Sequence, residues 1–339
     1  VRACTHPFIN EFAELDFRQS HSITDIETMP LSQGAGLAPL RQINTAKGFR
    51  AMASSPTSSQ RSSWLACAVC GLALVAVGPA WAQAPGDDAG RSASGGLYGR
   101  DWTGVVVVGV ISVPEYEGSA ETRPLPLIGG ELRWDDHRYA TFDGASGRIN
   151  MLDQVGLEFG PAINITFGRD KDIESRKVRL LGEIDPAVEL GAYVAYQIDS
   201  PMRAGDTIRF AGQVLADVTD VHGGVLGDVS ATYSTSIGDR WRVSTSAALS
   251  FASDDYAETY FSVTPSGAAI SGLPRTTVEA GAKDFSLSAN FSYGFSERWS
   301  LFGLVEYSRL LGDFADSPIV AREGDENQVS AGIGVGWRF

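Results

Sequence analysis

Apolar and polar residues alternate with a period of two along most of the chain. In the final stretch, VSAGIGVGWRF, Val329, Ala331, Ile333, Val335, Trp337 and Phe339 fall on one face, and Ser330, Gly332, Gly334, Gly336 and Arg338 on the other. That period is a β-strand with one oily face and one small or polar face. The pattern recurs at 155–167, where Val155, Leu157, Phe159, Ile163 and Ile165 oppose Gly156, Glu158, Gly160 and Asn164. It recurs again at 188–198, 228–237 and 285–295, and no segment carries a convincing amphipathic-helix pattern.

The joins between these segments are of two kinds. Short polar turns stand at 135–137, 238–240 and 296–298, and longer joins at 113–122, 169–183, 253–280 and 311–325. Short turns at one end and long loops at the other, with segments of about 10 residues or a little more, describe a transmembrane β-barrel. The apolar face is bulky and the opposite face is Ser, Gly, Thr and Asn with scattered charge. Lipid outside and a polar lumen inside satisfy both faces, and in lipid the sheet must close so that no backbone group is unpaired. Eleven segments are clear; splitting 138–151 at Gly144–Gly147 gives a closed antiparallel barrel of about 12 strands, with ten as second choice.

Tryptophan placement agrees. Trp134, Trp241 and Trp299 each adjoin a tight turn, while Trp102 and Trp337 lie near the ends of the barrel region. All five therefore map to one rim, expected to be the periplasmic aromatic girdle, because the indole is apolar with one N–H that wants a polar partner.

Composition sharpens the picture upstream. The apolar run Trp64 to Val77 follows Arg61 and precedes GPAWAQA, with Ala80 and Ala82 in the small-residue cleavage pattern. It is too short to span a bilayer as a helix, and 52–82 reads as a secretory signal peptide cut between Ala82 and Gln83. Residues 1–51 read as an over-extended start or a disordered extension, and 83–100 as a flexible periplasmic leader. Cys4, Cys67 and Cys70 all precede the cut, so the exported chain holds no disulfide framework. From Gln83 onward, 36 acidic against 21 basic residues leave a net charge of −15, which argues against a nucleic-acid partner.

Candidate chemistry is sparse. His137 sits in a polar turn and reads as solvated; His222 opens an HGG turn at the opposite rim, with Asp220 and several serines near in sequence. A histidine base beside a serine nucleophile is the arrangement a barrel lipase needs, but turn structure is the simpler reading, and no G-x-S-x-G occurs. The acidic pieces 170–174 and 324–328 lack EF-hand spacing and read as solvated loop charge. Neither a metal nor a cofactor is expected. Inward positions carry Glu158, Glu189, Arg209, Asp217, Asp228, Arg242 and Glu306, which suit either a channel lining or a paired network. The 253–280 join, with Tyr256, Tyr260 and Phe261, is long enough to plug the barrel or to meet a partner.

Several stretches carry a family resemblance: PEYEGS (114–119), RPLPLI (123–128), GPAI (160–163), HGG (222–224), DDYAETYFSV (254–263), SGLP (271–274) and YSRLLGDFADSPIV (307–320). From about Trp102 to Phe339 the chain resembles the MltA-interacting protein / OmpV family of Gram-negative outer-membrane barrels. The resemblance implies a non-enzymatic scaffold that brings a murein lytic transglycosylase together with a penicillin-binding protein. A passive diffusion pore for small solutes is the alternative and a surface adhesin the third reading. Lipopolysaccharide and the barrel assembly machinery are the expected envelope contacts. The resemblance further implies that Trp337 and Phe339 are an assembly signal as well as lipid-facing anchors.

Overall fold

The computed structural model describes residues 102–134 and 137–339. The signal peptide, the leader and residues 1–51 lie outside the described residues, as do two residues of the 135–137 turn.

Twelve antiparallel strands close on themselves. The first six are β1 (Thr103–Pro114), β2 (Thr122–Arg133), β3 (Tyr139–Asp143), β4 (Ser146–Asn150), β5 (Leu157–Thr166) and β6 (Ala187–Asp199). The rest are β7 (Thr207–Asp217), β8 (Val225–Ile237), β9 (Trp241–Ala252), β10 (Gly281–Gly294), β11 (Trp299–Leu310) and β12 (Asn327–Arg338). Each pairs with its sequence neighbours, and β12 returns to β1 from Val105↔Arg338 to Ser112↔Ala331. The chain end is tied into this seam: Gly104 and Phe339 exchange both backbone hydrogen bonds, at 3.1 and 3.0 Å.

The alternation read from the sequence is the alternation of the wall. Val110, Phe159, Leu190, Val229, Leu287 and Ile333 are exposed on the outside, while Glu189, Ser230, Thr232, Ser246, Ser286 and Ser330 are buried on the inside. An aliphatic side chain gains about 1.5–3 kcal/mol on leaving water, so a continuous outward band of this kind belongs in lipid. On the lumen face of the β8–β9 pair, facing hydroxyls bond across neighbouring strands, as Thr232 with Ser246 at 2.8 Å and Ser244 to Ser234 at 2.7 Å.

Two expectations need correction. Not every strand reaches about ten residues, because β3 and β4 have five each, joined at Gly144 and Ala145. Gly144 has φ +92°, a left-handed turn position that a side chain resists. Helices also exist, all of them in the loops: α1 (Arg176–Arg179), α2 (Asp254–Phe261), α3 (Pro265–Ser271), α4 (Gly312–Asp316) and α5 (Pro318–Ala321). At four to eight residues they are too short to show helical periodicity, and they are held by packing rather than propensity.

Joins at the turn side are not uniformly tight. Residues 151–156 and 200–206 are longer than the 238–240 turn. Asp206 organises the second of them by accepting from Tyr233 Oη at 2.7 Å and Thr235 Oγ1 at 2.6 Å.

Candidate functional site

The joins 115–121, 167–186, 253–280 and 311–326 converge on the loop side and pack into a cap. Tyr256, Ala257, Phe261, Val278, Leu310, Phe314 and Val320 form one buried apolar cluster. Tyr116, Ile173, Val178, Val263, Leu273 and Ile319 form a second. Tyr256, Phe261 and Val320 are wholly inaccessible to solvent, so the aromatic run expected either to plug the barrel or to meet a partner is packed inside the cap. Phe261 meets Phe314 edge to face at 5.1 Å, a favoured aromatic geometry.

Polar anchors hold this cap to the wall. His222 lies in the β7–β8 turn, and its side chain is fully buried beneath α2. Its Nδ1 accepts from the Gly224 N–H at 3.0 Å, so the ring proton sits on Nε2, which donates to Glu189 Oε1 at 3.1 Å. Asn164 donates to the other Glu189 oxygen at 3.0 Å. The turn wraps Asp217, whose Oδ2 accepts the N–H groups of Val221, His222 and Gly223 at 2.7–2.9 Å. Tyr256 stands edge-on to the imidazole at 5.0 Å. With both ring nitrogens engaged, His222 is a strut between loop and wall.

A second anchor was not legible in the sequence. A β-bulge between Ala282 and Asp284 turns both Lys283 and Asp284 inward, where simple alternation would send one of them outward. Lys283 Nζ contacts Glu117 Oε1 and lies 2.9 Å from Asp284 Oδ2. Glu117 also accepts from Tyr256 Oη at 2.7 Å. One carboxylate thus joins the first loop to α2 and to β10.

Around this core, burial and pairing tune the loop side chains. Burial pushes the Tyr116 hydroxyl up to about 12 and the Arg169 guanidinium down to about 10. Burial also raises Tyr256 well above its ordinary value, with the nearby Glu117 charge adding to the effect. Lys177 at 2.6 Å lowers Glu323, helped by a hydrogen bond from Ser175.

Among the inward charges of the wall, Arg209 and Glu158 are paired. Arg209 forks onto Glu158, with Nη2 to Oε2 at 2.7 Å, and Tyr139 donates to the same carboxylate at 2.7 Å. Arg148 lies over the Tyr193 ring at 5.6 Å. Asp228, Arg242 and Glu306 also face the lumen.

At the turn-side rim stand the five tryptophans of the described residues. Trp102, Trp241, Trp299 and Trp337 are exposed and Trp134 is half-buried. Trp299 and Trp337 pair directly across β11 and β12, and Trp337 stacks on Phe339 at 5.3 Å. Gly104 leaves room for that last ring, since a Cβ there would lie 2.6 Å from Phe339 Cζ. His137 is half-exposed with Nδ1 3.0 Å from Asp153. Among the described residues no three His, Cys, Asp or Glu side chains converge as metal ligands do.

Residues 106–339 match the family model described as MltA-interacting protein MipA. The chain belongs to this family. Outer membrane protein OmpV of Vibrio cholerae serotype O1 is 26% identical over 253 residues, 66% of this chain and 95% of that protein. Among solved structures, the NanC porin aligns with 69% of this chain and 98% of its own at 7% identity, TM-score 0.36. The translocator domain of the autotransporter NalP from Neisseria meningitidis aligns with 70% and 88% at 12% identity, TM-score 0.33. The strand order above, and not these two likenesses, defines the fold. Family and closed barrel together make this MipA-family chain an outer-membrane β-barrel protein.

Proposed function

We propose that this barrel is a non-enzymatic, non-conducting interaction protein of the Gram-negative envelope. It gathers murein-remodelling enzymes, a lytic transglycosylase with a penicillin-binding protein, at its turn-side rim. The observation that carries this reading is the cap: four joins share buried apolar clusters on the loop side. The Arg209–Glu158 ion pair and the His222–Glu189 hydrogen bond occupy the lumen below. A barrel so filled is a platform rather than a conduit. The family description, MltA-interacting protein, names the partner class.

In this reading the short joins face the periplasm and the cap faces outward, as in bacterial outer-membrane barrels generally. The five tryptophans then form the inner girdle, at the depth where indoles settle. Trp337 and Phe339 present adjacent rings to the assembly machinery, and the barrel's outer face meets lipopolysaccharide. Export through a signal peptide cut after Ala82 belongs to the same reading.

Crosslinking in the native envelope, followed by mass spectrometry, tests the partner. Recovery of a lytic transglycosylase or penicillin-binding protein, crosslinked to the turn-side joins, is expected. Recovery of lipopolysaccharide and assembly factors alone contradicts it. The Ser- and Thr-lined wall of β8 to β10 favours the competing reading, a diffusion pore, which conductance measurement separates.

A further inference from the structure

The barrel wall is uneven. β3 and β4 have five residues each, beside a β2 of 12 and a β5 of 10. Five residues rise roughly 14 Å along a strand, less once tilted, against an apolar band about 25 Å tall. The hairpin therefore fills only part of the wall. β2 meets β3 only from Gly129↔Asp143 to Arg133↔Tyr139, so its edge from Thr122 to Ile128 runs on past the hairpin tip without a strand beside it. That is roughly 20 Å of edge. The other flank stays paired to the hairpin tip, β4 meeting β5 from Ser146↔Asn164 to Arg148↔Ala162 and the Ile165 N–H donating to the Ala145 carbonyl at 2.9 Å, so the open edge is that of β2. Above the gap, the Glu174 N–H bonds to the Glu115 carboxylate at 2.8 Å, closing the frame of a window.

An open edge in lipid is costly, because each unsatisfied backbone group costs several kcal/mol. The sequence of β2 relieves that cost. Alternate residues of an antiparallel strand bond to alternate sides. Trp134 bonds toward β3 and Glu121 toward β1, so even-numbered residues of β2 face the window. Two of these are Pro124 and Pro126, which carry no N–H. The same substitution disfavours the other occupant an open edge attracts, an added strand, which needs those alternating donors.

Behind the edge the lumen changes character. Ile111, Val113, Leu127 and Leu304 form a buried apolar cluster with Leu125 packed against it. At its head, inward-facing Arg123 keeps a buried Nε that has no hydrogen-bond partner among the described residues. Outward Ile128, Phe142 and Ile163 join the window to the lipid-facing surface.

We propose that this window admits an acyl chain of an outer-leaflet lipid, laid against Leu125 and Leu127, with an anionic headgroup at Arg123. The apolar strip continues the bilayer into the wall, and the guanidinium supplies the complementary charge. The inference is independent of which enzymes the turn side gathers.

The test uses the unsubstituted barrel in liposomes doped with an anionic phospholipid bearing a diazirine in its acyl chain. After irradiation, adducts are mapped by mass spectrometry. Adducts on inward Leu125 and Leu127, with a yield comparable to that on outward Ile128, are expected. Adducts confined to outward residues overturn the proposal. In Arg123→Gln, checked for folding, the inward adducts should be lost with the anionic probe while the Ile128 adduct persists. Undiminished inward labelling in that variant overturns the headgroup assignment.

Discussion

His222 Nε2 lies 3.1 Å from Glu189 Oε1, and neither side chain is reached by solvent. The imidazole enters from the β7–β8 join and the carboxylate from the loop-side end of β6, so the pair fastens loop to barrel. Removing the donor leaves a buried carboxylate with only Asn164, at a cost of about 1–3 kcal/mol. His222→Ala should therefore render the 253–280 join sensitive to added protease while the strands stay folded. Unchanged cleavage would show that the cap does not depend on this strut.

Lys283 presents the same logic with charges. Lys283→Met strands Glu117 and Asp284 in a buried site, and breaking one side of a buried ion pair costs about 3–5 kcal/mol. Pairing it with Glu117→Gln should recover part of the loss, because one orphaned charge is removed. The thermal midpoints of both single variants and the double variant measure this coupling; strict additivity would contradict it.

Loop docking should weaken in acid. Glu323 is held below its ordinary value of 4.5 by the Lys177 ammonium and the Ser175 hydroxyl. A depressed carboxylate contributes stability that is present above the unfolded value and lost as pH falls through the folded one. The contact between the β5–β6 and β11–β12 joins should thus loosen below about pH 4.5. Lys177 is half exposed, so the effect is about 0.2–1 kcal/mol. Hydrogen exchange at 176–180 against pH reads it, and Glu323→Gln should flatten that dependence.

The terminal rings carry a separate prediction. Phe339 stacks on Trp337 and bonds Gly104 through its backbone. Phe339→Ser keeps the backbone bonds and removes the ring. Insertion into the envelope should slow in Phe339→Ser more than in Trp241→Ser, which removes a girdle residue elsewhere on the rim. Equal rates would reduce Phe339 to an anchor.

Much of the wall was legible because a period of two survives wherever one face meets lipid and the other a polar lumen. Glu158, Glu189 and Arg209 face inward as their parity requires, and 138–151 divides into two strands. Legibility failed where local pattern stops governing the backbone. The bulge at Lys283 breaks parity, so its inward turn was hidden. Glu117 lies in a join, where only three-dimensional packing brings it to Tyr256 and Lys283. His222 was legible as a turn residue but not as a strut, because its partner, Glu189, is 33 positions away. The open edge of β2 was hidden for a different reason: Pro124 and Pro126 alternate without breaking the apolar pattern, while the missing neighbour is a matter of pairing length.

Planar-bilayer recording of the purified barrel tests the central claim, that a packed cap and a paired lumen make a platform and not a conduit. The intact protein should show no discrete conductance steps, and replacing 254–280 by a short Gly/Ser turn should produce them. Regular steps from the intact barrel would contradict the account and make it a pore.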